Sequence, residues 1–210
     1  MSDTSTLTFS DRLLELIAVI LLGITTVGTA WCGFQAARWN GQSGDLNRLA
    51  SQNQVEGARL FGLATQRVTY DSTVVAKYAE ASQAGNAAAL KFYRETLVRP
   101  DFLPVLDRWE AAVKAGDAAV GVFEDKDYLA GQFAPYYQAV AASEQANQDS
   151  QAASEAADGY VGTTILLAVA LFFAGVTSSF VYRPARMLLL IAATGTVAVA
   201  AARIADLPVM

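Results

Sequence analysis

The residues of this chain that could carry out chemistry are few, and their types exclude the common catalytic sites. The 210 residues contain no histidine and a single cysteine, Cys32. The most frequent general base and metal ligand is therefore absent, and one cysteine can form neither an intrachain disulfide nor a cysteine-based zinc site. Cys32 lies in an apolar stretch with no base nearby, so we expect an inert thiol. No catalytic residue and no cofactor is predicted.

Acidic side chains cluster in the segment FEDKD, residues 123–127. Glu124, Asp125 and Asp127 could bind a cation weakly, but they lack the twelve-residue pattern of a calcium-binding loop. The sequence also contains no glycine-rich phosphate loop and neither a G-x-S-x-G nor an H-E-x-x-H motif. We therefore predict a solvated loop here, no metal site, and a protein that is not an enzyme.

Aromatic and polar residues are combined in TAWCGFQAARWNGQSG, residues 29–44, here named the exit segment. On a helix, Gln35 and Arg38 fall on the same side as Trp31. Together with Trp39 they would present aromatic, amide and guanidinium groups at the level of the lipid headgroups, as an interfacial aromatic belt does. We interpret Trp31, Gln35, Arg38 and Trp39 as contacts to headgroups or to a partner.

Small residues form a second face of the same helix. Thr25, Thr29, Gly33 and Ala37 recur at four-residue spacing, and rows of this kind let membrane helices approach closely. We expect this row to pack against small residues of the later apolar runs, namely Ala170, Ala174, Ala192, Thr196 and Ala200.

Three apolar runs must position these residues. Residues 16–37 and 159–182 carry no charge, and each run is long enough to cross the roughly 30 Å hydrocarbon core of a bilayer as a helix. A third run is shorter, but Arg186 and Arg203 bracket it and can extend to the two surfaces. We predict transmembrane helices at 13–37, 159–182 and 187–203, with an N-terminal tail at 1–12, a short basic hairpin at 183–186 and a C-terminal tail at 204–210.

Residues 38–158 are predicted to form a helical extramembrane domain. Apolar and small residues recur at three- and four-residue spacing over 45–83, and another long helix is expected after Pro135. The fold class is therefore all-α, with three transmembrane helices and an antiparallel helical hairpin stalk that ends in a small helical cap. The alanine-rich return helix buries little apolar area, which favours self-association or a partner.

Shorter helices are expected in the cap. One is predicted over 87–98 with Asn86 as its N-cap, and another over 102–115 with Asp101 as its N-cap.

The exit segment is similar to a stretch in a group of uncharacterised bacterial membrane proteins with the pattern T-A-W-x-x-[FY]-Q-A-x-R-W-x-G. The matching positions are Thr29, Ala30, Trp31, Phe34, Gln35, Ala36, Arg38, Trp39 and Gly41. The resemblance implies one span, a helical segment and then two closely spaced spans. It implies no activity.

Charge placement predicts the orientation in the membrane. The hairpin sequence YRPARM contains Arg183 and Arg186 and no acid, so the positive-inside rule places it in the cytoplasm and residues 38–158 outside. Arg38 and Arg48 argue for the reverse, but a short hairpin weighs more in this rule than a long polar segment. We interpret Arg183 and Arg186 as headgroup contacts.

We predict a multi-pass protein of the bacterial inner membrane. Its expected partners are the lipid bilayer and either a second copy of the chain or another membrane protein. The net charge of −5 gives no basic face for nucleic acid.

The predicted function is that of a non-enzymatic membrane scaffold or of an assembly or accessory subunit, acting through helix–helix self-association or a membrane partner. Two alternatives remain open. A helical segment between two spans is also the layout of a sensor input subunit, although no signalling module follows it. Threonines in the spans would suit an oligomeric pore, although no charge lies in the middle of a span.

Overall fold

The computed structural model describes residues 9–116, 121, 123, 125–180 and 182–210, and in these residues it contains helices and no β-strand. The prediction of an all-α fold is confirmed for this part of the chain. Residues 1–8 of the predicted N-terminal tail, and Glu124, lie outside the described residues. The elements are α1 (Phe9–Gln83), α2 (Ala87–Phe92), a π-helical turn (Tyr93–Leu97), α3 (Leu103–Lys114), α4 (Lys126–Val176), a 3₁₀ turn (Thr177–Ser179) and α5 (Arg183–Asp206).

Among the described residues, α1, α4 and α5 are long and apolar enough to cross a membrane, which indicates a membrane protein. The 24 residues of α5 extend beyond the predicted run 187–203 at both ends. Its first residue is Arg183, so the chain turns before the predicted hairpin at 183–186. Pro184 suits this start because proline lacks an N–H group that the first turn of a helix would leave unpaired.

Helix α1 runs for 75 residues through the exit segment without interruption. It contains no proline, and the glycines at 41 and 44 each cost only about 1 kcal/mol relative to alanine. The helix ends before Gly85, which has a φ of 65° that glycine adopts without strain. Asn86 then caps α2, since its side chain accepts a hydrogen bond from the Ala89 N–H at 3.1 Å, as predicted.

The starts of α3 and α4 differ from the predicted ones. Asp101 does not cap α3. The N-cap is Phe102, which makes no side-chain capping bond, and Asp101 pairs with Arg99 at 3.1 Å. Helix α4 begins at Lys126 and contains Pro135, which was expected to precede it. The early start follows from Asp125, whose carboxylate accepts the Tyr128 N–H at 3.0 Å and so satisfies a free donor of the first turn.

The chain divides into two compact units, the first formed by residues 1–48 and 147–210 and the second by residues 49–146. In the first unit, parts of α1 and α4 pack with α5 around mostly small side chains. Its two apolar clusters are Ala18, Leu21, Ala174, Leu190 and Ala193, and then Cys32, Ala36, Tyr160, Leu167 and Ala200. Ser43 and Ser150 also meet in this unit, with their Oγ atoms 3.0 Å apart.

The second unit has larger core residues and contains the short helices. Its core consists of Val74, Val75, Tyr78, Val98, Phe102, Val105, Leu106 and Tyr128. Here α1 and α4 approach closely where Gly57 faces Ala139, and the Ser143 hydroxyl donates to the Ala50 carbonyl at 3.0 Å. Small residues therefore allow the close approach of the two long helices in this unit.

Candidate functional site

The exit segment lies on α1 in the first unit, and its inward face differs from the predicted one. Gln35 is fully buried, although the pattern placed it on the outer face with Trp31. Gly33 and Ala37, expected to pack within the chain, are exposed, and a Cβ atom on Gly33 would meet nothing within 4 Å. The residues that face inward follow steps of three or four, with Gln35 and Ala36 adjacent within the series: Thr25, Gly28, Cys32, Gln35, Ala36, Trp39 and Ser43.

Three side chains of this unit hold the residues after α5. The Gln35 amide nitrogen donates to the Met210 carbonyl at 3.3 Å, and its oxygen accepts the Met210 N–H at 3.2 Å. The Trp39 indole N–H and the Tyr160 hydroxyl both donate to the Pro208 carbonyl, at 3.0 and 3.1 Å. These four hydrogen bonds fix residues 207–210, here named the docked tail, against α1 and α4.

Apolar contact adds to these hydrogen bonds. Leu207 packs directly over Gly159. A Cβ atom added to Gly159 would lie 2.6 Å from the Cδ2 atom of Leu207. Sequence reasoning assigned residues 204–210 only to a C-terminal tail and gave the docked tail no role. Pro208 was the available signal, because proline after a helix end marks where the chain leaves the helix.

The outer side of α1 carries small residues at a heptad spacing, here named the outer row. Gly23, Gly33 and Gly44 have open space where a Cβ atom would be. The Thr26 hydroxyl donates to the Leu22 carbonyl of its own helix at 2.7 Å. All residues of the outer row are exposed: Gly23, Thr26, Ala30, Gly33, Ala37 and Gly44.

The other residues of the predicted packing face lie mostly inside the first unit. Thr25, Ala170, Ala174 and Ala200 are buried, and Thr29, Ala192 and Thr196 are partly buried. The hydroxyls of the buried threonines 25, 163 and 177 bond to backbone carbonyls of their own helices at 2.6 to 2.9 Å. Each of these buried hydroxyls therefore has a hydrogen-bond acceptor on its own helix and needs no water molecule as a partner.

The predicted surface contacts other than Gln35 are distributed as follows. Trp31 is 44% exposed and its ring centroid lies 6.2 Å from that of Phe34. The Arg38 guanidinium is exposed, 5.8 Å from the centre of the Phe34 ring, within range of a cation–π contact. Arg183 is exposed and Arg186 partly buried at the start of α5. Trp31, Phe34 and Arg38 thus remain accessible, whereas the Trp39 indole N–H is hydrogen-bonded to the docked tail.

A buried charged cluster lies in the second unit. Asp71 is 1% exposed and accepts two hydrogen bonds from Arg99, at 3.0 and 2.8 Å, and one from the Tyr128 hydroxyl at 2.5 Å. Burial, and then the bond to Asp71, raises the pKa of Tyr128. The Asp71 bonds raise the pKa of Arg99. The cluster is a neutralised structural network whose tyrosine stays protonated.

The predicted acidic loop is not a free carboxylate cluster in the described residues. Asp125 pairs with Arg108 and caps α4, and Lys126 and Asp127 belong to the first turn of that helix. The hydrogen bond from Arg108, followed by the Tyr128 N–H, holds the pKa of Asp125 below its ordinary value. A second network joins Arg94 to Asp107, Glu110 and the Tyr78 hydroxyl.

The possible chemistry of these sites is limited. Cys32 is fully buried, and the part of the chain that the structure describes holds no group of three or more histidine, cysteine or acidic residues that could bind a metal. Comparisons with protein-family models, with curated proteins and with solved structures give no match.

Proposed function

We propose that this chain is a non-enzymatic membrane assembly protein that associates with further copies of itself through the outer row of α1. The observation that carries the proposal is the exposure of this row in a helix whose opposite face is packed inside its own unit. Glycine in a helix costs about 1 kcal/mol of stability relative to alanine. A repeated row of small residues that includes glycines therefore indicates a function for the close helix approach that small residues permit.

The spacing of the outer row supports a helix–helix contact. Gly23, Ala30, Ala37 and Gly44 are seven residues apart, with Thr26 and Gly33 between them at three- and four-residue steps. This is the repeat with which two helices stay in contact in a left-handed pair. Because lipid tails are as apolar as leucine, membrane helices associate through close backbone packing, which small residues allow.

Many exposed residues elsewhere on the apolar helices are large, as expected where lipid is the neighbour, although α5 also exposes small residues such as Gly195, Ala198 and Ala202. Examples of the large residues on α4 and α5 are Ile165, Phe172, Leu188 and Ile191, each more than 60% exposed. The outer row consists of small residues at a regular spacing, on the exposed side of α1. Trp31 and Phe34 lie beside the row and would add aromatic contact area to a helix pair.

We also propose that the protein resides in a bacterial inner membrane, with residues 38–158 as an extracytoplasmic helical stalk and cap. The arginines of the YRPARM segment support this orientation through the positive-inside rule. The resemblance of the exit segment to bacterial membrane proteins supports the bacterial membrane.

The test is the mass of the purified protein in a mild detergent, measured by light scattering or native mass spectrometry. The wild type is expected to be an oligomer, and Gly33→Leu is expected to reduce it to monomers because the leucine separates the two backbones. Gly195→Leu is the matched control, since Gly195 is exposed on α5 with equally open space. A monomeric wild type, or an unchanged Gly33→Leu oligomer, would reject self-association through the outer row.

A further inference from the structure

An open groove of about 400 Å³ lies on the second unit and joins α1 to the turn before α3. Leu63, Gln66, Arg67 and Tyr70 line it from one face of α1, at i, i+3, i+4 and i+7, and Arg99 lines it from the turn. The groove therefore combines two guanidinium groups, an amide, an aromatic ring and an aliphatic side chain.

The walls of the groove are held by contacts beneath it. Arg99 gives two N–H groups to buried Asp71, pairs with Asp101 and also interacts with the Tyr128 hydroxyl. The Tyr70 hydroxyl donates to the Leu97 carbonyl at 2.9 Å. Both side chains are thus preorganised before any ligand arrives, which reduces the entropy cost of binding.

Arg67 differs from the other arginines of the second unit. Arg59, Arg94, Arg99 and Arg108 each pair with a carboxylate. Arg67 is exposed and makes no ion pair or hydrogen bond within the described part of this unit. Its five N–H donors are available at the edge of the groove, and its planar group suits the two oxygens of a carboxylate or phosphate.

We propose that this groove binds a small organic oxyanion that carries an apolar body. The carboxylate or phosphate group bonds to Arg67, with the Gln66 amide as a further donor. The apolar body packs on Leu63 and the Tyr70 ring. This site is separate from the outer row, so its occupancy does not depend on the proposed self-association.

The probes are phenyl phosphate and benzoate, with inorganic phosphate as the probe that lacks an apolar body. Binding to the full-length protein in detergent is measured by calorimetry at low salt, because screening weakens an exposed charge contact. At least one organic probe is expected to bind, and more tightly than inorganic phosphate. Phenyl phosphate and benzoate distinguish a phosphate from a carboxylate as the preferred head group.

Arg67→Ala is expected to weaken the organic probe about tenfold or more, since a charge-assisted hydrogen-bond contact is lost. Leu63→Ala should weaken the organic probes and leave inorganic phosphate unchanged. Arg59→Ala is the matched control, an exposed arginine of α1 outside the groove. Arg67 is exposed, so its variant should melt like the wild type. Failure of both organic probes to bind at millimolar concentration, or unweakened binding to Arg67→Ala, would overturn the proposal.

Discussion

At the scale of single residues, the polar groups of the first unit mostly stabilise the chain itself. The Gln35 side-chain amide offers one donor and one acceptor to the backbone of Met210, much as a neighbouring strand would. A buried amide without these partners would pay the full cost of desolvation. The docked tail therefore accounts for a fully buried glutamine in the first unit.

Replacing Gln35 with leucine should destabilise the first unit by about 1–3 kcal/mol, because the Met210 N–H and carbonyl lose their partners. Gln42→Leu is the control, since Gln42 is exposed on the same helix. It should change stability by less than about 0.5 kcal/mol. Thermal unfolding in one detergent compares the two variants. Equal melting temperatures would show that the docked tail contributes nothing measurable.

Asp71→Ala should be far more damaging than Asp45→Ala, although each substitution removes an arginine partner. Asp71 is 1% exposed, so its loss leaves a partly buried Arg99 with only the exposed Asp101 as partner and the Tyr128 hydroxyl without its acceptor, at a cost of about 3–5 kcal/mol. The Asp45–Arg48 pair is on the surface and contributes about 0–1 kcal/mol. Chemical unfolding of both variants measures the difference, and similar losses would contradict the structural role of the buried cluster.

At the scale of the elements, the glycines of α1 differ in whether another helix packs against them. Gly57 is buried against Ala139 and the side chains of Tyr136 and Val140. Gly62, five residues later, is exposed with open space around it. The same residue type therefore permits close helix packing at one position and has no packing role at the other.

Gly57→Leu should destabilise the second unit by about 1–3 kcal/mol or more, because the added side chain forces α1 and α4 apart. Gly62→Leu should raise stability by up to about 1 kcal/mol through the higher helix propensity of leucine. Resistance to limited proteolysis and the unfolding midpoint report both changes. A tolerated Gly57→Leu would mean that the two helices do not rely on this contact.

The N-terminus of α4 should respond to acid through Asp125. Arg108 and the Tyr128 N–H hold the pKa of this carboxyl below its ordinary value. A lowered pKa adds stability that is complete at neutral pH and is lost as the pH falls below about 4 toward the folded-state pKa. Asp125→Asn should therefore be less stable than the wild type at pH 7, with the difference vanishing in strong acid. Melting curves between pH 7 and pH 3 measure this, and a constant difference would refute it.

At the scale of the whole molecule, the two compact units differ in their core residues and in the apolar surface that they expose. The first unit has a core of alanine, threonine and a few large residues, and many of its large apolar side chains are exposed. The second unit has its own core of valine, leucine and aromatic residues and pairs most of its arginines with acids. These compositions agree with the proposal that the first unit lies in a membrane and the second outside it.

Cysteine labelling tests the proposed orientation. In a Cys32→Ser background, Ser82→Cys and Lys114→Cys should react with a membrane-impermeant reagent on intact cells, since both positions are exposed. Tyr182→Cys, exposed between α4 and α5, should react only after lysis. The opposite labelling pattern would contradict the proposed orientation. It would not contradict the assignment of the three apolar helices.

The sequence by itself determined the all-α class, the three apolar helices and the long helix over 45–83. These features depend on local composition and on a period of three to four residues, which persist wherever the helix packs. Asn86 could likewise be assigned as a cap because its hydrogen bond spans only three residues. Sequence patterns therefore predicted the features that depend on interactions between residues close together in the sequence.

Tertiary structure decided which side of α1 faces inward. A helix with Trp31 and Gln35 on one side and Gly33 and Ala37 on the other offers two plausible faces, and local periodicity does not choose between them. The inward orientation of Gln35 depends on the docked tail, because the Met210 backbone supplies the hydrogen bonds that make burial of an amide favourable. Met210 lies 175 residues from Gln35 in the sequence. The Asp71–Arg99–Tyr128 cluster is likewise assembled from separate segments, because only the folded second unit brings Arg99 and the Tyr128 hydroxyl to the buried Asp71 carboxylate.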